Sequence, residues 1–371
     1  MDISRSEARQ LALVGHGFAK NARYSSPLHM LQHLGAIQLD AIQRVDRAHR
    51  LVCFARDYSL SGRDAIDVSL WTSDGEALVF ESWAHAVCIL PVDDWPLWHF
   101  LRDRLRKASW APSQEASQRI VQLLTDDGPQ TLKELEAGTE KSSGWDWSET
   151  KRAAEFLVWT GSIVCCERRG TKRVYDAPER RIPEQLLRQE PDVAESLMQL
   201  IDRAARVYGI ATAGDLADYF RLSRLEIEPL LPDLGLVSAR VDGWGERAWV
   251  HPSVLNGSLQ SVSPTFVSPF DNLIWDRDRV RRVFDFDYTF EAYKPVAKRR
   301  FGYYVMPLVV ADALVGRADL VREKSRLVAK AVYFEDAKTA DVDTALEAGQ
   351  RLAMQLGGLE FQIDDVLSTD I

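Results

Sequence analysis

A chain of 371 residues with 46% hydrophobic and 27% charged content is long enough for about two to four globular units and too apolar for extended disorder. No apolar run approaches the roughly eighteen residues that cross a bilayer, Met1-Asp2-Ile3-Ser4-Arg5 has no signal-peptide core, and the four cysteines form no Cys-x-x-Cys pair. These features predict a soluble, cytoplasmic chain with reduced thiols, no structural zinc and no disulfide framework. The net charge of −9 opposes phosphate binding as a sum, so contact with nucleic acid would have to come from local clusters. Three exist: Arg102, Arg104, Arg106 and Lys107; Arg168, Arg169, Lys172 and Arg173 around Gly170; and the basic stretch 277–300.

In chain order, Ser4-Arg5-Ser6-Glu7 is a capping box that predicts a first helix, and Ser26-Pro27 starts a second that Gly35 ends. The second helix leads into Gly35-Ala36-Ile37-Gln38-Leu39-Asp40-Ala41-Ile42. Read as an extended segment, this places Gln38 and Asp40 on one face and anchors Ile37, Leu39 and Ala41 on the other. An amide that orients water, beside a carboxylate that stays anionic, suits hydrolysis through a cationic transition state. Helices are predicted over 47–56 and 63–71, then a strand pair over 77–83 and 86–90. His49 and His85 flank these elements as possible substrate contacts, although a histidine among apolar neighbours is more often a hydrogen-bonded structural residue. His29 and His33 have the i, i+4 spacing of helical metal ligands, but no Glu follows His29 and no third ligand is evident.

A clearer unit follows. Helices are predicted over 116–124 and 131–137, and a third, capped by Asp146-Trp147-Ser148-Glu149, runs to Thr160. A ribbon of 162–167 and 173–176 encloses Arg168-Arg169-Gly170-Thr171-Lys172. Three helices and a basic two-stranded wing predict a winged helix, with Lys151 and Arg152 early in its recognition helix and Arg168 and Arg169 in its wing. The pattern recurs with helices over 191–208, 212–220 and 223–231 and a strand pair over 236–241 and 247–250. From Ser261 the chain turns to strands, at 286–293, 302–310, 314–320 and 326–333, and an amphipathic helix over 343–356 closes it. The first two of these strands would form a hairpin tipped by Lys298, Arg299 and Arg300, a basic projection suited to a DNA groove. The expected fold is α+β: about three tandem winged-helix domains over 1–110 (with Gln38 and Asp40), 111–180 and 181–255, then a small C-terminal β-barrel or sheet with a terminal helix over 256–371.

The run Gln38-Leu39-Asp40-Ala41-Ile42, with Val45 and Arg47-Ala48-His49, resembles the signature of the YcaQ/AlkZ-type DNA glycosylases, winged-helix proteins that unhook alkylated and crosslinked bases. Ser268-Pro269-Phe270-Asp271-Asn272-Leu273-Ile274-Trp275-Asp276-Arg277, Tyr293-Lys294-Pro295-Val296-Ala297-Lys298-Arg299 and Gly302-Tyr303-Tyr304-Val305-Met306-Pro307 resemble that family's C-terminal part. One branch of the family carries Gln-x-Gln and the other Gln-x-Asp; Asp40 matches the second, YcaQ-like branch.

The resemblance implies a monofunctional DNA glycosylase for purines alkylated at a ring nitrogen, of the 7-alkylguanine type, and for interstrand crosslinks. Its partner would be double-stranded DNA carrying such bases, met by a monomer in the cytoplasm at the nucleoid, without membrane, metal or cofactor. Asp40 would stabilise the oxocarbenium-like sugar and take a proton from water that Gln38 positions. A lyase would want a desolvated lysine, and none lies near the motif in sequence. Two other classes fit the residues: a winged-helix transcriptional regulator that catalyses nothing, for which Asp40→Asn would be silent, and an interaction scaffold with no DNA affinity.

Overall fold

A computed structural model describes residues 1–18, 24–57, 59–60, 62–71, 75–138, 147–170, 172–255, 257, 262–335 and 341–368. Asp146, Thr171 and Ser261 lie outside the described residues. The chain divides into two compact units, one made of 1–67 with 201–371 and the other of 68–200.

In the larger unit, strand Asp2–Ile3 runs parallel to Val237–Val241, and the sheet continues through Arg247–Val250 to Ile210–Thr212. Helix Arg5–Gly15 starts at the predicted capping box, where the Ser4 N–H donates to Glu7 at 2.8 Å. It ends against the backbone of 206–209: a Cβ on Gly15 would sit 2.6 Å from the Val207 carbonyl oxygen, so only glycine permits this approach. Helix Pro27–Leu34 is capped by Ser26 and stopped by Gly35 at φ 70°, and strand Ile37–Gln38 follows at once. Helix Ala48–Arg56 is buried along its whole length.

The C-terminal part of this unit is a curled sheet ordered Val262–Phe266, Val305–Ala311, Ala313–Arg322, Arg326–Phe334 and Glu360–Ile363, with Val366–Ser368 also on Arg326–Phe334. Helix Val342–Gln355 packs on it, and Gly349 admits the Phe361 ring where a Cβ would lie 2.1 Å from it. Three features differ from the sequence expectation. Residues 286–293 form no strand, so Lys298, Arg299 and Arg300 sit on an irregular loop with a 3₁₀ turn, Val296–Lys298, and not on a hairpin tip. Helix Arg277–Phe284 was hidden in the basic stretch. The terminal helix is followed by two short parallel strands.

The smaller unit contains the hairpin Val79–Trp83 with Val87–Pro91. Beyond it lie helix Gln114–Asp127, strand Gln130–Thr131, helices Leu132–Leu135 and Glu149–Trp159, and strands Val164–Arg169 and Lys172–Asp176, with the last strand central. Ile120, Leu124, Leu135, Leu157, Ile163 and Tyr175 fill its core. In the larger unit the run from 201 to 250 repeats this element order and, among its strands Ile210–Thr212, Val237–Val241 and Arg247–Val250, the same central position of the last.

One buried ion pair ties the larger unit together. Arg56 and Asp271 have no exposed side-chain surface and form two hydrogen bonds of 2.7 Å. Arg56 also donates to the His16 carbonyl at 2.7 Å and lies over the Phe18 ring. Removing one member strands a desolvated charge. Asp271→Ala should therefore lower the unfolding free energy by about 3–5 kcal/mol, read from urea denaturation, and a loss below ~1 kcal/mol would refute this account of the core.

Candidate active site

Gln38 ends its strand half-buried, with Ile37 fully buried behind it. Among the described residues its side-chain amide has no hydrogen-bond partner. Asp40 lies beyond the strand, in a turn that it makes itself: its Oδ1 accepts the Ile42 N–H at 2.7 Å. The other carboxylate oxygen takes no partner among the described residues. The expected alternation thus stops early, and Ala41 is exposed where an anchor was predicted. Burial, only partly opposed by the Ile42 hydrogen bond, raises the Asp40 carboxyl above its ordinary range. Gln38 and Asp40 therefore offer an amide and an anionic oxygen that the protein leaves free.

The strand is fixed from far along the chain. The Asn272 side-chain amide donates to the Ala36 carbonyl and to the Tyr219 hydroxyl, both at 2.8 Å, and the Tyr219 hydroxyl donates to the Leu34 carbonyl. Below the following turn is a lattice of buried charge. Asp46, with no exposed side-chain surface, meets Arg50 and Arg63, and Arg50 bridges to Asp67 at 2.6 Å. Burial would raise the Asp67 carboxyl, but hydrogen bonds from His49 and Arg50 outweigh it and hold the group well below its ordinary range.

The loop after residue 285 faces this turn. Glu291 is buried and accepts the backbone N–H groups of Arg300 at 2.9 Å and Phe301 at 2.8 Å, together with the Lys294 ammonium at 2.9 Å. The clamp closes a loop on which Tyr293 is 81% exposed. Burial and then the Asp40 charge push the Tyr293 phenol up, so the two groups interact. An open groove of about 610 Å³, lined by Ala41, Ile42, Gln43, Arg44, Arg299 and Tyr303, begins at the residue that follows Asp40 in the chain.

The other residues singled out from sequence are distributed as follows. Lys298 and Arg300 are exposed on the loop and Arg299 is half-buried in the groove. In the smaller unit Arg152 is exposed, and the Lys151 ammonium lies 4.2 Å from the Trp147 ring centroid. Arg169 is half-exposed near Glu167 and Glu134. Arg168 is not available for phosphate: its side chain is 14% exposed and pairs with the buried Glu81, which also takes Arg173 at 2.7 Å. Arg102 departs likewise from its cluster, lying over Trp95 with burial lowering it to about 9.

His49 and His85 are buried, which corrects the expectation of substrate contact; His49 Nε2 hydrogen-bonds Asp67 at 2.9 Å. His29 bonds Ser25, and His33 bonds the Gly15 carbonyl. Among the described residues no three His, Cys, Asp or Glu side chains are grouped to hold a metal, and no helix is long and apolar enough to cross a membrane. Sequence reasoning missed Arg44, the interaction of Tyr293 with Asp40, and the structural roles of Asp271, Asn272 and Glu291. The one available signal was the polar pair Asp271-Asn272 inside an apolar run.

A family model described as DNA glycosylase AlkZ-like matches residues 31–353. The structure of Streptomyces sahachiroi DNA glycosylase AlkZ is similar with a TM-score of 0.63, covering 99% of this chain and 100% of that one at 17% identity, a likeness of fold.

The raised Asp40 carboxyl has a consequence for stability. The folded state holds the Asp40 proton more tightly than the unfolded state, so ionised Asp40 detracts from stability at neutral pH. Asp40→Asn retains an oxygen for the Ile42 N–H. It should be more stable than wild type at pH 7, and the difference should close as pH falls through the raised Asp40 value into the ordinary aspartate range. Thermal melts across that window test this; equal stability at neutral pH would refute it.

Proposed function

The chain belongs to the AlkZ-like DNA glycosylase family, DNA-repair enzymes that hydrolyse the N-glycosidic bond, and we propose that here Asp40 and Gln38 carry that hydrolysis on alkylated purines. The observation that supports this reading is the pairing of a free amide with a half-buried carboxylate whose second oxygen is uncommitted. A purine alkylated at a ring nitrogen is already cationic, so it leaves without prior protonation. As the bond from C1′ to the purine nitrogen breaks, its electron pair neutralises the base and positive charge grows on the sugar. The Asp40 carboxylate stabilises that charge. Gln38 orients a water whose oxygen bonds to C1′, and Asp40 takes the released proton. No lysine is required, which makes the reaction monofunctional.

The groove beside Asp40 is open and cationic, a geometry that tolerates a base still tethered to the opposite strand. This supports interstrand crosslinks of the 7-alkylguanine type as substrates beside single adducts. We read the repeated helix and strand order as winged-helix units within the four-part division at 110, 180 and 255, with Lys151, Arg152 and Arg169 in the second and Lys298 and Arg300 on the C-terminal loop contacting duplex phosphates.

Single-turnover release of base from a duplex with one 7-methylguanine tests the mechanism. At matched DNA occupancy Asp40→Asn should lose roughly 10²–10⁴-fold in rate, and the wild-type rate should fall on acidification with a limb above the ordinary aspartate range. A variant rate equal to wild type would remove Asp40 from the chemistry. Gln38→Ala should slow release while leaving the acid limb in place.

A further inference from the structure

Many arginines of the larger unit are matched to carboxylates: Arg50 to Asp46 and Asp67, Arg56 to Asp271, Arg282 to Asp215, Arg317 to Glu335. Arg44 and Arg299 have no carboxylate partner among the described residues, and both line the groove that begins at Ala41, next to Asp40 in the chain. Arg299 is aimed without being neutralised, since its Nε donates to the Lys294 carbonyl at 2.9 Å and an Nη to the Ala292 carbonyl at 3.4 Å. Its guanidinium carbon lies 4.9 Å from the Tyr303 ring centroid, and that of Arg44 lies 5.9 Å from the same centroid. The groove therefore holds two positive charges about one aromatic ring, on a protein of net charge −9.

Two guanidiniums left unneutralised in one open groove are matched by an anion that accepts hydrogen bonds from planar forks, which is the chemistry of a phosphodiester. We propose that this groove seats the sugar–phosphate backbone of the damaged strand next to the nucleotide presented to Asp40, with Arg44 and Arg299 as its cationic walls and Tyr303 as the spacer between them. The inference rests on the reading of Asp40 as the hydrolytic centre. Arg44 and Arg299 are then positioning residues: they hold the backbone so that C1′ stands at the Asp40 carboxylate. The four residues from Ala41 to Arg44 link the two functions, since the turn that orients Asp40 through Ile42 also builds the groove wall. On the other wall the Glu291 clamp fixes the loop that carries Arg299.

The test is equilibrium binding, by fluorescence anisotropy, of a duplex containing a tetrahydrofuran abasic analogue, a probe that needs no bond cleavage. Affinity is followed from 50 to 200 mM salt. Each lost phosphate contact should reduce the slope of log K against log salt by about 0.9, so that the fourfold rise in salt weakens Arg44→Gln or Arg299→Gln about 3.5-fold less than it weakens wild type. The double variant should show both reductions, and Arg44→Lys should keep the wild-type slope because it keeps the charge. Arg188→Gln, which removes an exposed arginine paired with Glu184, serves as the control and should leave the slope unaltered. Unchanged slopes in both groove variants, with melting temperatures equal to wild type, would overturn the proposal. The two readings fail separately. Base release by wild type with unchanged slopes would sink the phosphate seat alone, whereas reduced slopes without base release from 7-methylguanine would sink the hydrolytic assignment and leave the seat.

Discussion

Arg56 and Asp271 meet where neither side chain has exposed surface, and each is tolerable there only because of the other. An ion pair of this kind contributes little net stability, because desolvation offsets most of the attraction; its effect is to allow one arrangement and penalise others. Here the arrangement extends to the site. Asp271 brings Asn272 with it, Asn272 bonds the carbonyl of Ala36, and Gln38 stands two residues further on. The strand that carries the free amide is thus set by a residue 236 positions away from the Ala36 carbonyl that it bonds.

Charge is handled in two ways in this molecule. In the core, carboxylates and guanidiniums are matched, as in the Asp46, Arg50 and Asp67 lattice and in the Glu81 pairings with Arg168 and Arg173. At the site the matching stops. Asp40 is half-buried without a salt-bridge partner among the described residues, and the cations beside it face a groove. The contrast sets the region apart from the core, because an unmatched charge in a partly dry place is a cost that the fold alone has no reason to bear. It also reconciles an acidic chain with a DNA substrate: field strength in a groove depends on nearby unpaired charge and much less on the total.

What the sequence disclosed was local. Ser4 with Glu7, Ser26 with Pro27 and Gly35, and Ser148 before Glu149 each define a helix end through interactions within a few residues, and each sits where expected. The errors have a common origin in distant contacts. Phe286, Tyr288 and Phe290 alternate as in a strand, yet the segment has no ladder: the aromatic rings alternate because the irregular chain dips into the core, and Tyr288 donates its hydroxyl to the Val305 carbonyl. Helix Arg277–Phe284 is hidden within a basic stretch because Arg279 is buried, bonded to the carbonyls of Tyr208 and Ile210, a polar residue doing what an apolar one usually does. His49 misled for the same reason. At the site, Gln38 and Asp40 were legible as a local motif, whereas Arg44 acquires meaning only beside Tyr303 and Arg299, and Tyr293 only beside Asp40.

The separation of Arg56 from Asp271 also sets an order of events during synthesis. Their positions differ by 215 residues, so at about 5–20 residues per second the arginine leaves the ribosome roughly 10–40 s before its partner. Throughout that interval the helix Ala48–Arg56 carries a cation that cannot be buried, and the larger unit cannot close. Residues 68–200 emerge meanwhile as one continuous stretch with a core of their own and need not wait. The nascent chain therefore completes its inserted unit first and its outer unit last, and strand Ile37–Gln38 acquires its fixed position only when the Asp271-Asn272 pair arrives.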